Sequence, residues 1–194
     1  MNERYSRERS QTDLALRMIA YEARTNTIRS CTGLSDDRIR KLCSQYFTNR
    51  DGQTVRRRRG KSPKQVARYV KNAEHQLQAT TLMHMFLVYG LLAREHRRQL
   101  SCPWPDVDVA FGLRVCDAYA TYGLIHTDAL FTFEWAWNLL QALSRDEELA
   151  IASCSRCGAD YLHDRYALNF HVCPACEIRT ERRRRPGARQ FADS

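Results

Sequence analysis

The stretch CSRCGADYLHDRYALNFHVCPAC, from Cys154 to Cys176, carries two C-x2-C knuckles separated by 15 residues. Two residues between cysteines let both sulfurs of a knuckle face one point. A pair of knuckles then supplies a tetrahedral four-sulfur set, closed to water and therefore structural rather than catalytic. The spacing is the C-x2-C-x15–20-C-x2-C zinc signature. The expected metal is zinc, with Cys154, Cys157, Cys173 and Cys176 as ligands; an iron–sulfur cluster is also compatible with four thiolates. Gly158 suits the tight turn after the first knuckle. His163 and His171 lie between the knuckles and read as surface or outer groups, because four thiolates fill the shell. Residues 161–163 and 168–172 read as short strands of a zinc ribbon. A module of this size has little core of its own, so the metal belongs to its folding free energy.

Outward from the ribbon, the other four cysteines show no metal spacing. Cys31, Cys43, Cys102 and Cys116 sit among helical residues and read as small core hydrophobes. The 194 residues suffice for one domain or two small ones. No uncharged apolar run approaches the ~20 residues of a membrane span. The polar start, residues 1–10, lacks the apolar stretch of a secretion signal. The expectation is a soluble, cytoplasmic protein.

Near the start, residues 13–48 hold three helical patterns. Leu14, Ala15, Met18, Ile19 and Ala23 form one apolar stripe. A short second helix around residues 25–31 turns Ile28 inward, Gly33 supplies a turn, and Ser35 is placed to cap a third helix. In that helix Ile39, Leu42, Cys43, Tyr46 and Phe47 recur at i, i+3, i+4, i+7 and i+8. Its opposite face presents Arg38, Arg40, Lys41, Ser44 and Gln45. A glycine turn followed by a helix with one buried and one basic face is the helix-turn-helix layout. Asp36 and Asp37 suit that helix's N-terminus.

The middle is different in character. Residues 65–98 read as one long helix, broken only at Gly90 within an apolar run. Cys102-Pro103-Trp104-Pro105 ends it. Residues 107–122 and 127–145 read as two further helices, with Asp106 and Asp108 at the start of the first. The apolar set Phe131, Trp135, Leu139 and Leu143 in the last of these reads as core, and it is generous enough for a small bundle that its aromatic surplus points also to a subunit interface and an obligate oligomer. No phosphate-binding glycine loop, metal-binding His pair or nucleophile elbow occurs, so an enzyme is not expected.

The net charge of +9 is unevenly distributed. Residues 1–78 hold 18 basic and 8 acidic side chains, residues 79–150 hold 5 and 9, and residues 151–194 hold 8 and 5. Two arginine runs dominate: Arg56, Arg57, Arg58 and Arg59, and Arg182 to Arg185. Cations that reach phosphates release counterions, so such runs favour a nucleic-acid partner. The DNA-contact candidates are Arg38, Lys41, Arg56, Arg57, Arg58 and Arg59.

The expected fold is mostly α: a helical bundle with an N-terminal helix-turn-helix-like segment and a small C-terminal zinc ribbon. Its parts are the helix-turn-helix-like segment (1–50), a basic linker (51–64), a helical core and partner interface (65–150), the four-cysteine zinc ribbon (151–178) and a basic tail (179–194).

This order, with its Gly-Leu-Ser turn at residues 33–35, its Ile39-x-x-Leu42 helix, its aromatic helical middle and its C-x2-C-x15-C-x2-C end, resembles the FlhC flagellar transcriptional regulator family. The closest stretches are residues 32–46 and 130–176, under half of the chain. The resemblance implies a partner, FlhD, in a heterohexamer of four FlhD and two FlhC chains. It further implies binding to double-stranded promoter DNA and activation of flagellar class 2 operons with RNA polymerase. The family's zinc cysteines correspond to Cys154, Cys157, Cys173 and Cys176. Two other readings fit part of the pattern: an RNA-binding zinc-ribbon protein, with Tyr161 and Phe170 as a stacking platform, and a helical adaptor that binds no DNA.

Overall fold

A computed structural model of the chain describes residues 3–47, 65–95, 99–145, 148–168 and 171–184. Among the described residues the fold is mostly helical, with two small antiparallel strand pairs. The N-terminal unit is α1 (Glu3–Ala20), α2 (Thr25–Thr32) and α3 (Asp36–Tyr46). The first turns of α1 are exposed on every side. They carry the i,i+4 pairs Arg4–Glu8 and Arg9–Asp13 in place of an apolar stripe, so hydrophobic periodicity could not reveal them.

The turn after α2 matches its sequence signal. Gly33 adopts φ 70°, and its N–H bonds Arg29 O, the left-handed C-terminal cap that glycine forms without strain. Ser35 then caps α3, its hydroxyl accepting from the Arg38 N–H. Ile39, Leu42 and Cys43 are buried as expected, whereas Tyr46 at the helix end is 63% exposed.

The expected helix over residues 65–98 is not one helix. A 3-10 turn (Val66–Val70) precedes α4 (Ala73–Val88), and a short strand β1 (Ala93–Arg94) follows. Asn72 separates the first two, because its extended backbone (φ −154°) frees the side chain to accept from the His75 N–H. Gly90, at φ 65°, ends α4. There the Leu91 N–H bonds Phe86 O and the Gly90 N–H bonds Leu87 O, the paired bonds of a Schellman cap. Leu91 and Leu92 then bend away from the helix into the core, and β1 pairs with β2 (Leu100–Ser101).

Helix α5 (Val109–Ile125) starts at Asp108, whose carboxylate accepts from the Phe111 N–H. Helix α6 (Phe133–Arg145) begins six residues later than the sequence pattern suggested. Residues 127–132 are instead a connector tied to α4: Gln78 donates to Asp128 O and accepts from the Leu130 N–H, and it also pairs with the Tyr122 hydroxyl. That polar network is buried and mutually satisfied.

The strand expectation for the ribbon is half corrected. Residues 161–163 lie in β4 (Asp160–Asp164), but its partner is β3 (Leu149–Ser153), upstream of the first knuckle. Leu168, His171 and Val172 are not in a strand, and residues 169–170 lie outside the described residues. Helix α7 (Pro174–Arg184) then begins inside the second knuckle and takes up residues 179–184, read from sequence as tail.

One core joins these pieces. Leu14, Ile39, Phe86, Phe111, Phe131, Phe133 and Leu140 belong to it together with Leu149, Ile151 and Leu162 of the hairpin. Fully burying each such side chain contributes roughly 1.5–3 kcal/mol. Among the described residues, Ala152, Cys154, Tyr161, Cys173 and Cys176 form a separate small cluster, around the sulfurs. Cys31 and Cys116 are buried in the main core, and desolvation pushes both thiols up to about 12, so they remain neutral hydrophobes. Cys43 is also buried, and Cys102 is half-buried.

Candidate metal centre and basic helix face

The end of β3, the turn after it and the start of α7 deliver the sulfurs. Cys154 follows the end of β3, Cys157 closes the turn after it, Cys173 immediately precedes α7, and Cys176 lies in the first turn of α7. The four sulfurs all lie within 4.8 Å of one another, and those of Cys157 and Cys173 are 3.6 Å apart. Sulfurs at ~2.3 Å from a tetrahedral centre are ~3.8 Å apart, so the spacing fits one metal ion.

Backbone donors favour charge on one sulfur in particular. The N–H groups of Cys173 and Arg156 point at Cys154 Sγ, at 3.2 and 3.4 Å. Led by the Cys173 bond, they lower the Cys154 thiol to about 6. Burial pushes the Cys173 thiol up to about 12, and the hydrogen bond with Cys157 raises that of Cys176. Packed thiols that disfavour losing several protons at once are the donor set a divalent cation neutralises.

The knuckles are braced against each other. The Ser155 N–H and hydroxyl both donate to His171 O, at 2.8 and 2.7 Å. The Arg156 guanidinium donates to Thr180 Oγ1 on α7, and that hydroxyl donates in turn to Cys176 O. Gly158 adopts φ 72°, as the first turn required. His163 is buried, its Nδ1 paired with Asp164 O, and His171 is exposed; neither belongs to the sulfur group. Tyr161 is 1% exposed, so its ring is closed to stacking on a base.

The second candidate surface is the outer face of α3. Arg38, Arg40, Lys41, Ser44 and Gln45 are exposed. The acidic residues at its start are engaged: Asp36 with Arg29 at 3.5 Å and Asp37 with Arg40 at 3.0 Å. Among the described residues no ion pair takes Arg38 or Lys41. Arg56, Arg57, Arg58 and Arg59 lie outside the described residues, so their relation to this face is not defined.

Sequence reading missed Glu134. It is 1% exposed on α6, accepts from the Arg24 N–H at 2.7 Å and sits 3.7 Å from Arg24 Nε. Its charge lies at the start of α2, where helix N–H groups favour an anion. Sequence reading also missed Gly112. A Cβ there would lie 2.6 Å from Leu14 Cδ2 and 2.9 Å from Cys31 Cβ, so α5 packs backbone-close against α1 and α2. Together they hold the α2–α3 unit on the bundle. A lone Glu in an aromatic helix or a Gly between Phe111 and Leu113 carries no such signal locally.

Compared with known proteins, the chain matches no family model and no curated sequence. The class that fold and site define is therefore a helical protein with a four-cysteine metal-type centre. No helix among the described residues is long and apolar enough to cross a membrane.

Proposed function

We propose that this chain is the DNA-binding subunit of a cytoplasmic transcription activator similar to the FlhC regulators. Its four-cysteine centre holds one structural zinc ion, and it works in a complex with an FlhD-like helical partner. The complex binds promoter DNA and recruits RNA polymerase to flagellar class 2 operons. The observation that carries this reading is the α2–Gly33–α3 unit, whose outer face offers Arg38 and Lys41 while Asp36 and Asp37 are held by Arg29 and Arg40. A helix presented in this way enters a groove, where basic side chains hold phosphates and neighbouring polar ones reach base edges. Ser44 and Gln45 are the polar candidates on that face.

Zinc is supported by the all-sulfur donor set at tetrahedral spacing. The resident metal ties β3 to α7 and supplies no reaction. A partner is supported by exposed apolar side chains on α4 and α5, where Val88 is 74% and Leu124 83% exposed.

The test is fluorescence anisotropy with a promoter-length DNA duplex, and RNA of equal length, across a salt series on the complex with its partner. The double variant Arg38→Ala/Lys41→Ala is expected to weaken duplex binding, and each lost phosphate contact should flatten the log–log salt slope by about 0.9. An unchanged slope removes α3 from the interface. Preference for the RNA overturns the DNA reading.

A further inference from the structure

The four sulfurs differ in one respect: access. Cys154 and Cys173 are 3% exposed and Cys176 is 8% exposed, whereas Cys157 is exposed. Residues 155–159 around it are exposed throughout, and a Cβ added at Gly158 would meet nothing within 4 Å. A small solute therefore reaches Cys157 from an open side. A metal ligand is a thiolate, and exposed thiolates are the first rung of the cysteine oxidation ladder. A resolving sulfur is in place, with Cys173 Sγ 3.6 Å from Cys157 Sγ.

We infer that Cys157 is an oxidative modification site: a peroxide-class oxidant reacts there first, and Cys173 resolves the product as a disulfide that dismantles the metal centre. The Cys157 thiolate attacks the peroxide, forming an S–O bond as the O–O bond breaks. The sulfur loses two electrons to become a sulfenic acid, and the departing hydroxide takes a proton to become water. The Cys173 thiolate then attacks the Cys157 sulfur, the S–S bond forms, and the S–O bond breaks. The second hydroxide also leaves as water. In sum, two thiolates, one hydrogen peroxide and two protons give one disulfide and two waters. Closing 3.6 Å to a ~2.05 Å bond needs only local movement of the knuckles.

With two of four ligands consumed, Cys154 and Cys176 no longer hold the ion, and the Cys157–Cys173 disulfide replaces it as the link between the two knuckles. The inference rests on the zinc reading of the centre and is independent of DNA binding.

The experiment uses the full chain loaded with zinc, its metal content verified first, and titrated with hydrogen peroxide. Zinc release is followed with a chromogenic chelator, and thiols are mapped by alkylation and mass spectrometry. Loss of zinc should track appearance of a Cys157–Cys173 linked peptide, and thiol reductant with added zinc should reverse both. Cys157→His, which keeps a fourth ligand and removes the accessible sulfur, should hold zinc at a peroxide dose that strips the wild type. Zinc retained by the wild type, or first modification at Cys154 or Cys176, overturns the inference while leaving the metal reading intact. A chain that takes up no zinc overturns both.

Discussion

Gln76 near the start of α4 donates its side-chain amide to the backbone carbonyl of Leu162 on β4, 2.7 Å away and 86 positions along the chain. One turn later Thr80 Oγ1 accepts from the Leu162 N–H at 3.1 Å. Leu162 faces Ile151 across the hairpin, and both of its backbone polar groups turn away from β3 toward α4. A helix thus satisfies the open edge that a two-stranded ribbon would leave exposed. The Arg94–Asp160 pair at 2.6 Å adds a second tie between the bundle and the strand. The ribbon is an extension of the helical core rather than a bead on a tether.

Gln76→Leu and Thr80→Val each strip one buried Leu162 backbone group of its partner. The expected cost is about 1–3 kcal/mol apiece, read from urea unfolding. Faster exchange of the Leu162 amide should accompany Thr80→Val alone. Equal stability of both variants with the parent would show that water substitutes for the helix.

Two glycines of α5 give opposite signs. Gly112→Ala drives a Cβ into Leu14 and Cys31, an overpacking worth about 1–3 kcal/mol. A methyl added at Gly123 would meet nothing within 4 Å, so Gly123→Ala should stabilise by up to about 1 kcal/mol. Melting temperatures of the two variants should therefore move apart. Parallel shifts would refute the close approach of α5 to α1 and α2.

Glu134→Ala takes the buried carboxylate away from the half-buried Arg24 and removes the acceptor for the Arg24 N–H. A loss of about 1–3 kcal/mol is expected. Glu134→Gln, which keeps an acceptor oxygen, should lose less. Denaturant midpoints of the three proteins order the effects, and indistinguishable midpoints would remove Glu134 from the attachment of α2.

Chelation should act locally. Leu149, Ile151 and Leu162 stay in the main core without metal, whereas Cys173 and Cys176 hold the start of α7. Hydrogen exchange should rise over residues 154–158 and 173–184 and change little in α4 and α5. Helix-wide exchange on chelation would contradict the shared core.

Metal uptake should also release protons. At neutral pH the Cys173 and Cys176 thiols, both pushed up, must be deprotonated by the ion, whereas Cys154, lowered to about 6, is already mostly thiolate. As pH falls through about 6, Cys154 becomes protonated as well, so proton release per metal grows and affinity falls. Calorimetry in buffers of different ionisation enthalpy measures this release, and a pH-independent value would contradict it.

The features legible in the chain are those whose partners lie within a few residues. The C-x2-C knuckles meet through local turns, Ser35 caps three residues ahead, Gly33 closes its own turn, and Ile39 and Leu42 share a face by helical period alone. Where distant groups compete, local patterning fails. The apolar run through Gly90 satisfied a helix pattern, yet the helix ends there in Schellman bonds, and Leu91 and Leu92 are buried beyond it in a bend. The partner of β4 is β3, whose Leu149 and Ile151 join Leu162 in the shared core, and no local pattern announces that pairing. By itself the sequence determined the four-cysteine set and the turn before α3, because short-range geometry decides both. Only the tertiary structure decided that Gln76 and Thr80 serve Leu162, that Glu134 anchors α2, and that Cys157 alone of the four metal-site cysteines is exposed to solvent. Those facts follow from packing between segments far apart in the chain, where spacing carries no information.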